Sequence, residues 1–133
     1  TVAIVPVGYA DGWPVALSGR SGDPDVHVAV IEGAHETRTF VPVVGAVSMD
    51  QFAIDVTDVP GFEVGSTVEL ISPDPEAPNH LPTLAGLART NPYELLCRLH
   101  PSIPRRYRTA RTDATIEVRP FAKTMHASVA SSR

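Results

Sequence analysis

The sequence predicts a mainly β domain, a small barrel or sandwich with two short helices near residues 83–99. Three observations predict it. Thirteen prolines fall in 133 residues, about twice the usual share of roughly 5%. An interior proline costs a helix about 3 kcal/mol, so long uninterrupted helices cannot be common. Short β-branched runs alternate with turn-rich stretches, and helical apolar spacing is confined to residues 83–99. With 43% hydrophobic and 20% charged residues, the chain can bury one core, and its length leaves no room for a second full-sized domain.

The elements follow in order. Residues 1–8, TVAIVPVG, form a strand. Pro6 would remove a ladder donor there, which predicts an edge or a bulge. Residues 15–25 are a polar, turn-rich loop. VHVAVI (26–31) and TRTFVPVV (37–44) form a hairpin around residues 32–35, with Thr37, Thr39 and Val41 on one face and Arg38, Phe40 and Pro42 on the other. VSMDQFAIDV (47–56) and TVELIS (67–72) are further strands, and the proline-rich residues 73–82 a surface loop. TLAGLART (83–90) places Leu84, Leu87 and Ala88 at helical spacing. In residues 91–99, Asn91 is an N-cap, Pro92 suits the first helical position and Glu94 the reach-back position. Leu95, Leu96 and Leu99 make the buried face, and Pro101 ends the helix. A last strand lies near residues 114–121, and the Ala- and Ser-rich residues 122–133 form a frayed tail. The domain therefore spans residues 1–121.

Composition excludes several functions. Eleven basic against fifteen acidic side chains give a net charge of -4, and eight aromatics are too few for a base-stacking platform, so no nucleic-acid partner is expected. No apolar run reaches the roughly 20 residues of a membrane span, and Thr1–Val7 lacks a signal-peptide leader. The single Cys97 excludes an internal disulfide, fits a reducing compartment, and reads as a small core residue. His27, His35, His80, His100 and His126 show no metal-ligand spacing, so no metal is expected. Ser18 and Ser48 lack a nucleophile elbow. Arg105, Arg106 and Arg108 read as a solvated edge that can also hold phosphate.

Three short motifs carry chemistry. In GYADG (8–12), two glycines bracket Tyr9 and Asp11 at a strand end, permitting close backbone approach and presenting the tyrosine to a cleft. A phenol has a reference pKa of about 10, so a phenolic base at neutral pH needs a cationic neighbour. The plain alternative is a turn with a packed Tyr9 and a capping Asp11. In GAVSMDQ (45–51), backbone amides can bind a carboxylate; alternatively, a strand enters a turn and Met49 fills a core gap. In NPYE (91–94), helix amides and the Tyr93 hydroxyl suit phosphate, while an ordinary capped helix with a surface tyrosine explains the same residues. Taken singly, each motif favours the plain alternative.

Together, VPVGYADGWP (5–14), GAVSMDQFAIDVTDVP (45–60), VGSTVELIS (64–72) and RTNPYELLCRLHPSIPRRY (89–107) closely resemble the C-terminal domain of bacterial alanine racemases. The likeness runs from about residue 2 to residue 107, and the ordered set is specific although each motif is modest. The resemblance implies a cytoplasmic, pyridoxal-phosphate-dependent enzyme that interconverts L- and D-alanine for cell-wall precursors. It also implies an N-terminal α/β barrel carrying the Schiff-base lysine and most of the cofactor site. Two subunits pair head to tail, so each site combines a barrel with the partner's C-terminal domain. By the same resemblance Tyr9 is the catalytic acid/base facing the partner's cofactor, Met49 holds the substrate carboxylate through its amide, and Tyr93 contacts the cofactor phosphate in its own subunit.

The departures are specific. Ala46 stands where the family commonly has an arginine of the access corridor, and Ser48 where cysteine is frequent. The only lysine is Lys123, in the tail, and the family's β segment before the first motif is missing. The sequence thus reads as a domain cut from something longer and inactive alone. Two alternatives stay open: a racemase of another amino acid, serine or a basic one, and a non-catalytic β module that binds a partner.

Overall fold

The computed structural model describes residues 1–19, 26–33, 36–109, 112–118 and 128–130. Six strands form one antiparallel sheet: β1 (Val2–Val5), β2 (His27–Glu32), β3 (Thr37–Val44), β4 (Phe52–Asp55), β5 (Thr67–Glu69) and β8 (Ser128–Ala130), in the order β5-β2-β3-β4-β1-β8. The sheet curls into a half-barrel. β3 links its two halves: Thr37–Pro42 pair with β2, and Val43 and Val44 pair with Ile54 and Ala53 of β4. A separate hairpin joins β6 (Arg105–Thr109) to β7 (Thr112–Val118). Two short helices, α1 (Leu81–Leu87) and α2 (Pro92–Cys97), follow β5 in the chain.

The core follows from strand alternation. Val28 and Val30 of β2, Val41 and Val43 of β3, and Phe52 and Ile54 of β4 are buried together with Leu84 of α1 and Leu95 of α2. Trp13 stacks on Phe52, ring centroids 5.6 Å apart and planes 17° from parallel. Phe40 points out of the core, as the alternation in residues 37–44 predicts.

The mainly β architecture and both helices agree with the sequence reading. Several details correct it. β1 is an internal strand between β4 and β8 and stops at Val5, so Pro6 lies beyond the ladder rather than at an edge. The predicted strand 47–56 is a strand only over Phe52–Asp55. Leu96 is exposed and Leu99 only half-buried, because α2 is six residues long and Leu95 alone of its residues is buried. Cys97 is exposed rather than a core residue. The arginine edge is strand β6. Of the predicted tail, Ser128–Ala130 pair with β1, and the rest lies outside the described residues.

Candidate active site

Tyr9 opens a single 3-10 turn, Tyr9–Asp11, directly after β1. Backbone hydrogen bonds fix that turn. The Tyr9 amide donates to the Ser48 carbonyl at 3.1 Å and the Ala10 amide to the Met49 carbonyl at 2.9 Å. The Gly12 amide donates to the Tyr9 carbonyl at 3.2 Å and the Trp13 amide to the Gly8 carbonyl at 3.1 Å. Buried Asp11 closes the turn: its Oδ2 accepts the Gly8 amide at 3.0 Å, and its carbonyl accepts the His100 amide at 3.0 Å. The flanking glycines are required by contact. A Cβ on Gly8 would lie 2.3 Å from the Ser48 and Met49 carbonyl oxygens. Gly12 has φ +103°, and a Cβ there would lie 2.2 Å from the Arg98 carbonyl oxygen. Tyr9 itself is half exposed on this rigid base, so the sequence alternative of a packed tyrosine is not what forms; the capping Asp11 is.

The second motif forms a loop against the first. The Ser48 amide and Oγ both donate to the Gln51 carbonyl, at 2.9 and 2.8 Å. Together with the bonds to Tyr9 and Ala10, this holds residues 48–51 in a tight reversal. Among the described residues no group accepts the Met49 amide. Its side chain is 52% exposed, so it fills no core gap. Ala46 is exposed on the same segment.

The third motif is α2. Asn91 Oδ1 accepts the Glu94 amide at 2.9 Å, the expected N-cap. The Glu94 carboxylate takes the Thr90 hydroxyl on one oxygen and Arg98 Nη2, at 2.7 Å, on the other. These bonds, the Thr90 hydroxyl first, hold its carboxyl below the usual carboxylate range. Tyr93 is 81% exposed on the first turn. A cavity of 540 Å³ beside Tyr9 is lined by Trp13, Val15, Thr90 and Arg98, and not by Tyr93. The structure therefore bonds the Tyr9 turn to the Met49 loop, and Thr90 and Arg98, which flank the Tyr93 helix, line the cavity beside Tyr9. The sequence did not single out Thr90, Arg98 or Trp13 for this region.

The donor chemistry suits a phosphorylated carbonyl cofactor only in part. Tyr93 offers an exposed phenol to a phosphate. No lysine lies among the described residues, so they supply no amine to a carbonyl. Among the described residues no group of His, Cys, Asp and Glu is placed to hold a metal ion, and no helix is long and apolar enough to cross a membrane.

Comparison with known proteins decides the family. The profile described as "Alanine racemase, C-terminal domain" matches residues 1–107. The chain belongs to the alanine racemase C-terminal domain family. An alanine racemase of Nitratidesulfovibrio vulgaris is 45% identical over 107 residues, which is 80% of this chain and 25% of that protein. The crystal structure of alanine racemase from Bacillus anthracis with bound L-Ala-P is 30% identical, covers 87% of this chain and 27% of its own, and superposes with a TM-score of 0.62. The Bartonella henselae alanine racemase with covalently bound pyridoxal phosphate is 30% identical, covers 74% and 24%, and gives a TM-score of 0.51. This racemase domain thus spans about a quarter of the length of the relatives it matches.

Proposed function

We propose that this domain serves a pyridoxal-phosphate-dependent alanine racemase, supplying one acid/base residue and the substrate-carboxylate contact. The observation that carries the reading is the direct bonding of the Tyr9 turn to the Met49 loop. In the homodimer each site is shared between the two subunits. Tyr9 and Met49 face the partner's cofactor, and Tyr93 faces its own.

Racemisation removes the α-proton on one face and returns a proton on the other. Tyr9 holds or takes the proton at its phenolic oxygen on one face. The Met49 amide, unclaimed by any described residue, fixes the carboxylate so that only the α-proton is in reach. Tyr93 donates its hydroxyl to the phosphate. When bound, the cofactor supplies an electron sink for the broken C–H bond. Its lysine and most of its contacts come from an N-terminal barrel. In the cell the product would feed cell-wall precursor synthesis in the cytoplasm.

The test is racemisation of alanine by the full-length protein, with and without Tyr9→Phe. Loss of roughly 10²–10⁴-fold in the variant supports an acid/base role, and no loss leaves a β module that only binds. Exposed Ala46, where relatives commonly carry arginine, favours a second reading, a racemase of serine or a basic amino acid. Rates on serine, lysine and arginine exceeding the rate on alanine would establish it.

A further inference from the structure

Buried polar side chains beside the site are few. Among the described residues Asp11, Ser18, Ser72 and Asn79 are the buried ones. Asp11 serves the Tyr9 turn. Ser18 serves the other half of the site. It follows a single 3-10 turn, Val15–Leu17, and is 3% exposed. Its Oγ donates to the Val15 carbonyl at 2.6 Å and accepts the Val47 amide at 2.9 Å. The hydroxyl therefore spends its proton on its own turn and its lone pair on the segment that leads to Met49.

The backbone around this bond is closely fitted. The Gly45 amide donates to the Gly19 carbonyl at 2.9 Å. A Cβ on Gly19 would lie 1.7 Å from the Val43 carbonyl oxygen, so the two segments touch without side chains between them. Val47 is buried, and no other described side chain reaches its amide. Met49 is then held from both sides: Val47 by Ser18, and Ser48 by Gln51. An unpaired buried amide is a costly defect, and the simplest relief is a shift of the segment toward water. Such a shift moves the Met49 amide.

We infer that Ser18 is a positioning residue that sets the Met49 amide for the substrate carboxylate. This role rests on the racemase reading. It acts on ground-state and transition-state binding of the carboxylate alike, so it governs KM more than kcat.

The experiment uses the full-length, cofactor-loaded protein with Ser18→Ala, Ser18→Thr and Ser18→Cys. Ser18→Cys fills a similar volume with a poor acceptor and is read in the same way where Ser18→Ala does not fold. Propionate, which keeps the carboxylate and lacks the amine, probes the carboxylate contact. In Ser18→Ala, KM for alanine and Ki for propionate rise together, about tenfold, while kcat changes less than about threefold. Cofactor absorbance stays as in the unsubstituted protein, and hydrogen exchange at Val47 accelerates. Ser18→Thr, which keeps the hydroxyl, restores KM and Ki. The role is overturned by unmoved KM and Ki in the folded variants, by a fall in kcat alone, or by parallel loss of cofactor. Racemisation lost in Tyr9→Phe with KM and Ki unmoved in Ser18→Ala overturns the Ser18 role and leaves the racemase reading standing. Absence of alanine racemisation in the unsubstituted, cofactor-loaded protein overturns both.

Discussion

The amide of Tyr9 donates to the carbonyl of Ser48 at 3.1 Å, across 39 positions of sequence. Through that bond and its neighbour from Ala10 to Met49, two motifs that mean little separately share one rigid frame. Gly8 and Gly12 allow it, each by accepting a neighbouring carbonyl where a Cβ would sit.

Gly12→Ala should therefore destabilise the domain. The added methyl meets the Arg98 carbonyl oxygen and the residue keeps φ +103°. Overpacking and backbone strain together cost about 2–5 kcal/mol. Denaturant unfolding followed by the fluorescence of Trp13, the single tryptophan, measures it.

Trp13→Ala should cost about 3–5 kcal/mol, the range for deleting a buried aromatic. Trp13→Phe should cost much less. The Trp13 Nε1 has no hydrogen-bond partner among the described residues, so deleting it strands no acceptor. Unfolding curves followed by far-ultraviolet circular dichroism compare the two variants.

Acid should loosen the start of α2. The Glu94 carboxyl is held below its ordinary value by the Thr90 hydroxyl and Arg98. A depressed folded pKa gives stability that is fully present above the unfolded value of about 4.3 and is lost as pH falls through the folded value. Carbon-detected NMR titration of the Glu94 side chain should give a midpoint below that of an exposed glutamate, and Glu94→Gln should remove this part of the pH dependence.

Tyr93→Phe should leave stability within about 0.5 kcal/mol, because the side chain is 81% exposed. Losing a hydrogen bond to a charged phosphate costs about 1.5–3 kcal/mol, so pyridoxal phosphate should bind roughly ten- to hundredfold more weakly. Equilibrium titration of the cofactor into the full-length protein checks this.

Much of the fold was legible because alternation in β2, β3 and β4 and the proline spacing both oppose long helices. The loop at Met49 was not. VSMDQFAIDV reads as one strand, yet Ser48 turns its amide and hydroxyl onto Gln51 and ends the extended backbone there. Ser18 was legible only as a serine without a nucleophile elbow, since its partner, the Val47 amide, is 29 positions away. Leu96 and Cys97 were misplaced because helical periodicity gives a face and not its width. On a six-residue helix only Leu95 reaches the core. The family was legible through the ordered motifs rather than through any one of them.

The central claim is that Tyr9 acts on one face of the α-carbon. The most direct measurement is incorporation of solvent deuterium at the α-position by the full-length protein and its Tyr9→Phe variant, starting separately from L- and D-alanine. The account predicts that the cofactor-loaded variant loses wash-in from one enantiomer by about 10²-fold or more and retains it from the other. Equal wash-in from both enantiomers, at the rate of the unsubstituted protein, would contradict it.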